Sequence, residues 1–250
     1  MGVESVVKAS PDGDTILITP IAPISIYPHV YDKLGYDPFT DLQPLAHVAD
    51  FEFAVAIGPQ VPAKNIKELV EWLKANPNAA NYGTPGAGTL PHFFAVSFKN
   101  ATGIDLRHVG YRGSAAAVTD LIGGQITMVF TTTADLLETH KAGRIRVLAT
   151  SDDKRSPLLP DVPTFVEEGF GISGKAWYAM YLPAKTPKET VSQLNKIIVD
   201  AVRRPDVKER LLKLGLYATG SSPEELGKIQ KSDSDRWKPT IEASGFKPVQ

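Results

Sequence analysis

Apolar residues recur at a helical spacing over Lys188–Val202, where Val191, Leu194, Ile197, Ile198 and Ala201 share one face. Pro187, just ahead of this run, is a start signal. The same kind of pattern predicts helices over Asn65–Ala75, Leu90–Thr102, Ala115–Gly123, Asp135–Ala142, Val162–Glu168, Pro205–Leu214 and Pro223–Ser244. Pro205-Asp206 opens one of these and Gly215 stops it. Ser222-Pro223-Glu224-Glu225 supplies a capping hydroxyl, a proline at the first helical position and acids in the first turn. Short apolar runs predict strands at Thr15–Thr19, Leu45–Ala49, Glu52–Ile57, Asn81–Gly83, Leu106–Val109, Met128–Phe130, Arg146–Ala149 and Trp177–Leu182. Strand and helix alternate through the middle of the chain, which predicts an α/β fold with a substantial parallel sheet.

Two strand-like segments read as crossings between lobes. One is Phe51–Pro62, an apolar run ending in a proline-flanked loop, and the other is Trp177–Ala184. Two crossings send the chain out to a second lobe and back, an arrangement that traps ligand between lobes. The predicted division is residues 1–58 with 177–250 for lobe one and 59–176 for lobe two. The chain opens directly on a helix-like stretch, Met1–Val7, with no signal peptide and no preceding strand.

Composition narrows the partners. There are 27 basic and 28 acidic side chains, a net charge of −1, which removes the electrostatic case for binding nucleic acid. No apolar run approaches the roughly 18 residues of a membrane span, so the chain is read as not membrane-inserted. Cysteine is absent, so thiol chemistry and Cys–metal sites are excluded. The histidines, at 29, 47, 92, 108 and 140, show no metal-ligand spacing, and no metal or cofactor is expected. No Gly-x-Ser-x-Gly elbow and no Ser-x-x-Lys with its partner motifs points to catalysis. The expectation is a binding protein and not an enzyme.

Residues 82–92, Tyr-Gly-Thr-Pro-Gly-Ala-Gly-Thr-Leu-Pro-His, carry the most information. A Gly-rich loop runs into a helix start, without a single Lys or Arg. Glycines let backbone N–H groups turn toward one point, and the first N–H groups of a helix lack internal partners. Gly86, Ala87, Gly88 and Thr89 therefore suit a carboxylate, although an ordinary strand–helix turn has the same composition. Gly113 and Ser114 begin a second helix, either facing the ligand or simply capping. Thr131 and Thr132 follow a strand at the end where α/β sheets bind ligands, with N-capping as the other role. Trp177 is either a wall of the site or core. The proline-rich loop Thr19–Ser25, with hydroxyls at Thr19 and Ser25, either lines the site from lobe one or is a surface connection.

Together these residues resemble the Bug family, the TctC-like extracytoplasmic solute-binding receptors of tripartite tricarboxylate transporters. The resemblance runs nearly end to end. It is carried by Pro11-Asp12-Gly13-x-Thr15, Tyr36-Asp37-Pro38, the Tyr82–His92 stretch, His108-Val109-x-Tyr111-Arg112-Gly113 and Asp120–Gln125. Further on it includes Arg155-Ser156-Pro157-x-Leu159-Pro160-Asp161-Val162-Pro163-Thr164 and Leu182–Pro187. It implies a two-lobed, type II periplasmic-binding-protein fold with two hinge crossings. It also implies a small carboxylate held in the cleft by backbone amides and hydroxyls, periplasmic location in the full-length form, and membrane transporter subunits as partners. By position, Gly86–Thr89 would hold the carboxylate, Gly113 and Ser114 would offer a second helix start, and Thr19–Ser25 would face them. A ligand-sensing domain acting with a regulatory partner is the alternative, because regulators reuse this fold.

Two departures from the family stand out. Family members begin with a strand, loop, helix and strand that would precede residue 1, so the chain reads as N-terminally truncated, by a mis-assigned gene start or by design. The family also often has Phe-Asp-Asn where this chain has Phe130-Thr131-Thr132. The acidic contact is absent there, which counts against an amino-acid ligand.

Overall fold

A computed structural model describes residues 2–247 and divides the chain into two compact units. Unit 1 is Met1–Phe51 with Ala176–Gln250, and unit 2 is Glu52–Lys175. The second boundary lies next to the 176/177 that the sequence suggests, while the first falls at 51/52 and not 58/59, because the strand Phe53–Ile57 pairs on both sides with strands of unit 2.

Unit 1 contains α1 (Gly2–Val7), β1 (Leu17–Pro20), α2 (Tyr27–Val30) and β2 (Leu42–Phe51). After the excursion the unit resumes with β8 (Ala176–Pro183), α7 (Lys188–Arg203), α8 (Pro205–Lys213), β9 (Tyr217–Ala218) and α9 (Pro223–Ser244). Its sheet has the order β1-β8-β2-β9, and every pairing is antiparallel. Successive side chains of β8 point to opposite faces. Tyr178, Met180 and Leu182 pack with Val191, Leu194, Ile198 and Val199 of α7. Trp177, on the other face, bonds to Asp233 of α9. The sequence predicts a loop at Thr19–Ser25, but Ala22–Ile26 is a π-helical turn running into α2. Pro23 sits in its first turn, where the missing N–H has no partner to lose.

Unit 2 contains β3 (Phe53–Ile57), α3 (Ile66–Ala75), β4 (Asn81–Thr84), α4 (Leu90–Thr102) and β5 (Arg107–Gly110). It continues with α5 (Ser114–Ile122), β6 (Met128–Thr132), α6 (Thr133–Lys141) and β7 (Arg146–Thr150). The sheet order is β5-β4-β6-β3-β7. The first three strands are parallel, whereas β3 runs antiparallel to β6 and β7. The parallel sheet is thus smaller than the alternation of elements predicts, and it is confined to this unit among the described residues.

Every residue of β3 is buried, as expected of a strand covered on both faces. Ala54 and Ala56 meet Ala117, Val118 and Leu121 of α5 and Leu136 of α6. The opposite face is aromatic: the Phe98 ring of α4 lies tilted 5.8 Å from Phe130 and 6.1 Å from Phe165, and Phe94 lies 5.1 Å from Phe53. The helix predicted at Val162–Glu168 is instead a series of turns. Thr150 N–H donates to Pro163 O and Phe165 N–H donates to Thr150 O, so Thr164 bridges to β7 before the chain turns over residues 165–169.

Asn65 caps α3: its Oδ1 accepts from the Glu68 amide at 2.8 Å. Asn65→Ala is expected to cost about 1 kcal/mol, or roughly 2–4 °C in Tm. Urea and thermal melts check this, with Lys67→Ala, at an exposed position of the same helix, as the near-neutral control.

Candidate functional site

The site candidates of unit 2 are assembled by three strand-to-helix turns, at the C-terminal ends of the adjacent parallel strands β4, β5 and β6. That end of a parallel sheet is where such folds bind ligands, because helix N-termini converge there.

The first turn joins β4 to α4. Thr84 Oγ1 and Thr89 Oγ1 both donate to Gly86 O, at 3.0 and 2.7 Å. Gly88 has φ +73°, a conformation that costs other residues strain. Its N–H donates to Nδ1 of His92, one turn into α4, at 3.1 Å. Thr89 is the N-cap of α4, yet its hydroxyl is turned back into the loop and makes no capping bond. No side chain therefore closes this helix end.

A stacked histidine pair supports the loop from beneath. The His92 and His108 rings lie 4.2 Å apart at 15°. His108 Nε2 is 2.7 Å from Thr84 Oγ1. With the single hydroxyl hydrogen of Thr84 given to Gly86 O, this contact assigns the donor role to His108, with its proton on Nε2. His92 accepts through Nδ1, so its proton also sits on Nε2. Burial and the neighbouring His92 push the His108 pKa down to about 4, and burial lowers that of His92. Both rings are neutral near pH 7, and the loop is held without a cation.

The unfolded chain therefore binds more protons than the folded one between about pH 6.5 and 4. Stability from this pair is complete above about pH 6.5 and declines as pH falls toward 4. Urea midpoints at pH 7 and pH 5 check this; the drop is expected to be smaller in His108→Gln than in the wild type.

The second turn joins β5 to α5 and is laced to the first. Tyr111 N–H donates to Thr84 O and Gly113 N–H donates to Pro85 O, both at 2.9 Å. Gly113, the N-cap of α5, has φ +105° and no side chain to cap with. A Cβ built on it would meet nothing within 4 Å, so the space beside this helix start is open. Ala115 and Ala116, the next two residues after Ser114, are exposed.

The third turn joins β6 to α6. Thr131 is fully buried; its Oγ1 lies 3.0 Å from Ser114 Oγ and 2.9 Å from Asp135 Oδ2. Thr132 caps α6, accepting from the Asp135 amide at 3.3 Å. The structure thus brings Gly86, Ala87, Gly88, Thr89, Gly113, Ser114, Thr131 and Thr132 into one region. The amides of Gly88 and Gly113 are engaged within the protein, so any anion would be left to the helix starts themselves.

The other three site candidates lie in unit 1 and have partners there. Thr19 Oγ1 is 3.3 Å from Pro20 O. Ser25 is fully buried and donates to Gln230 O at 2.9 Å. Trp177, 2% exposed, donates from Nε1 to Asp233 Oδ2 at 2.7 Å. The sequence reading gave no role to Thr84, His92, His108 or Asp135. No periodic pattern marks them: Gly88 precedes α4 and Thr131 lies in β6, so the Gly88–His92 and Thr131–Asp135 contacts exist only once each turn is folded. Among the described residues no cluster of three or more His, Cys, Asp or Glu could hold a metal, and no helix is long and apolar enough to cross a membrane.

Comparison with known proteins matches residues 1–246 to one family, the tripartite tricarboxylate transporter family receptor, TctC. The chain belongs to the TctC receptor family. The UPF0065 protein of the tcbD-tcbE intergenic region of Pseudomonas sp. (strain P51) is 31% identical over 96% of this chain and 72% of its own length. A solved R. palustris protein with adipate matches with TM-score 0.87 and 27% identity, over 99% of this chain and 83% of that one. The periplasmic binding protein BugD matches with TM-score 0.84 and 30% identity, over 98% and 83% of the two chains. The TctC chain thus has the α/β fold of these periplasmic binding proteins.

Proposed function

We propose that this TctC chain captures a small organic carboxylate in the periplasm for delivery to membrane transporter subunits, without transforming it. The ligand carboxylate sits at the starts of α4 and α5. The observation that carries this reading is the meeting of two helix N-termini, neither closed by a capping side chain, at the ends of β4 and β5. Each start offers N–H groups and the positive end of a helix dipole. A neutral histidine pair beneath them leaves recognition to amides and hydroxyls. The adipate of the R. palustris relative supports a carboxylate as the ligand class.

A micromolar Kd, about −8 kcal/mol, is expected. Ligand at about 100 times Kd then adds roughly 2.7 kcal/mol of stability. Thermal shift followed by calorimetry tests this with mono- and dicarboxylates against their amides and methyl esters. Equal shifts with acid and ester would reject the carboxylate seat.

A further inference from the structure

We infer that Ser114 presents a hydrogen-bond acceptor to the ligand, so that the protein prefers carboxylates carrying an O–H or N–H donor beside the carboxylate. This rests on the carboxylate seat proposed above and names the ligand chemistry that the seat selects.

The inference follows from counting hydrogens. Thr131 Oγ1 has two oxygen neighbours, Asp135 Oδ2 at 2.9 Å and Ser114 Oγ at 3.0 Å. A hydroxyl has one hydrogen to give, and a carboxylate only accepts. If Thr131 gave its hydrogen to Ser114, its lone pairs would face those of Asp135 at hydrogen-bond distance. Thr131 therefore donates to Asp135. The contact with Ser114 is then a bond only if Ser114 donates to Thr131. Both hydrogens run inward toward Asp135, and Ser114 Oγ keeps two outward lone pairs. Thr131 is fully buried, so water does not rescramble the relay at its centre.

Ser114 is the half-buried first residue of α5, next to the open space at Gly113. The amides of the same helix start are the proposed carboxylate donors. A donor on the carbon adjacent to the ligand carboxylate is the group within reach of Ser114 Oγ. A simple alkyl carboxylate leaves that acceptor without a partner, and a carboxylate oxygen turned toward it meets lone pairs.

Calorimetry on matched sets tests this. The probes are succinate, L-malate and L-aspartate; glutarate, L-2-hydroxyglutarate and L-glutamate; and adipate with L-2-aminoadipate. In the wild type, the 2-hydroxy or 2-amino acid is expected to bind at least fivefold tighter than its unsubstituted parent. The hydroxy and amino arms separate the two donor sources. Thr131→Val cuts the relay and frees the Ser114 hydrogen, so the ratio is expected to fall to within twofold while the unsubstituted acid gains affinity. Ser114→Ala removes the ratio without that gain. Asp135→Ala, at an exposed position where the change leaves the backbone cap intact, removes the acceptor, so Thr131 is free to donate to Ser114 and the ratio is expected to shrink. A loss of folding alone would lower all affinities together and would not move the ratio. Carboxylate binding with a wild-type ratio near one, unmoved in Thr131→Val and Asp135→Ala, overturns the inference and leaves the carboxylate seat standing. Binding of none of the acids overturns both.

Discussion

Gly88→Asp is expected to reduce carboxylate affinity by about a hundredfold or more. Gly88 is buried, lies two residues before the first residue of α4, and holds φ +73° while its N–H is bonded to His92 Nδ1. An Asp here places a second anion beside the proposed carboxylate. Two like charges about 6 Å apart at an effective dielectric of 20 repel by roughly 3 kcal/mol, which corresponds to about two decades in Kd. Asn is the needed control, because it has nearly the same shape, tolerates the left-handed backbone region and carries no charge. Gly88→Asn is expected to stay within about tenfold of the wild type. Equal losses in the two variants would mean that shape, not charge, decides. Unchanged affinity in Gly88→Asp would remove the anion seat from this loop.

The helices of unit 2 and the C-terminal helix were legible because local signals and tertiary packing agree. Leu90–Thr102 and Pro223–Ser244 have a proline near the start and a glycine just past the end, and both helices span those ranges. Val162–Glu168 has helical apolar spacing, but the backbone of Pro163 and Phe165 bonds to Thr150 of β7, a partner that no local pattern reveals. The direction of β3 was hidden for a related reason. Its apolar run reports burial on both faces and says nothing of parallel or antiparallel pairing.

The site was legible to the level of loops, not of hydrogen bonds. Glycines and hydroxyls marked the three turns correctly as neighbours of helix starts. Which amides are already occupied depends on His92, Pro85 and Thr84, and these partners come from the folded geometry. The Thr131–Asp135 contact crosses from the end of a strand into the next helix, so it appears only once the turn between them is built.

Trp177→Phe is expected to destabilise unit 1 by about 1–3 kcal/mol, and Trp177→Ala by about 3–5 kcal/mol. The ring is almost wholly buried in the sheet, and its N–H is bonded to Asp233 Oδ2 at 2.7 Å. Burial pushes the Asp233 carboxyl above the usual carboxylate range, and the Trp177 N–H works against that push. Phenylalanine keeps most of the apolar volume but removes the donor, so Asp233 loses a bond that favours its charged form. Its folded pKa then rises further.

The sign of the pH dependence follows from that. A group whose folded pKa lies above its unfolded value contributes stability that is present below the unfolded pKa, near 4, and is lost as pH rises through the folded value. The Trp177→Phe deficit is therefore expected to be larger at pH 7 than at pH 4. On an Asp233→Asn background the same substitution is expected to cost less at pH 7, because no carboxylate is left to ionise. Urea melts of the four proteins at both pH values measure the coupling. A deficit independent of pH and of residue 233 would assign Trp177 to packing alone. A change in carboxylate affinity with no change in stability would instead return it to the wall of the ligand site.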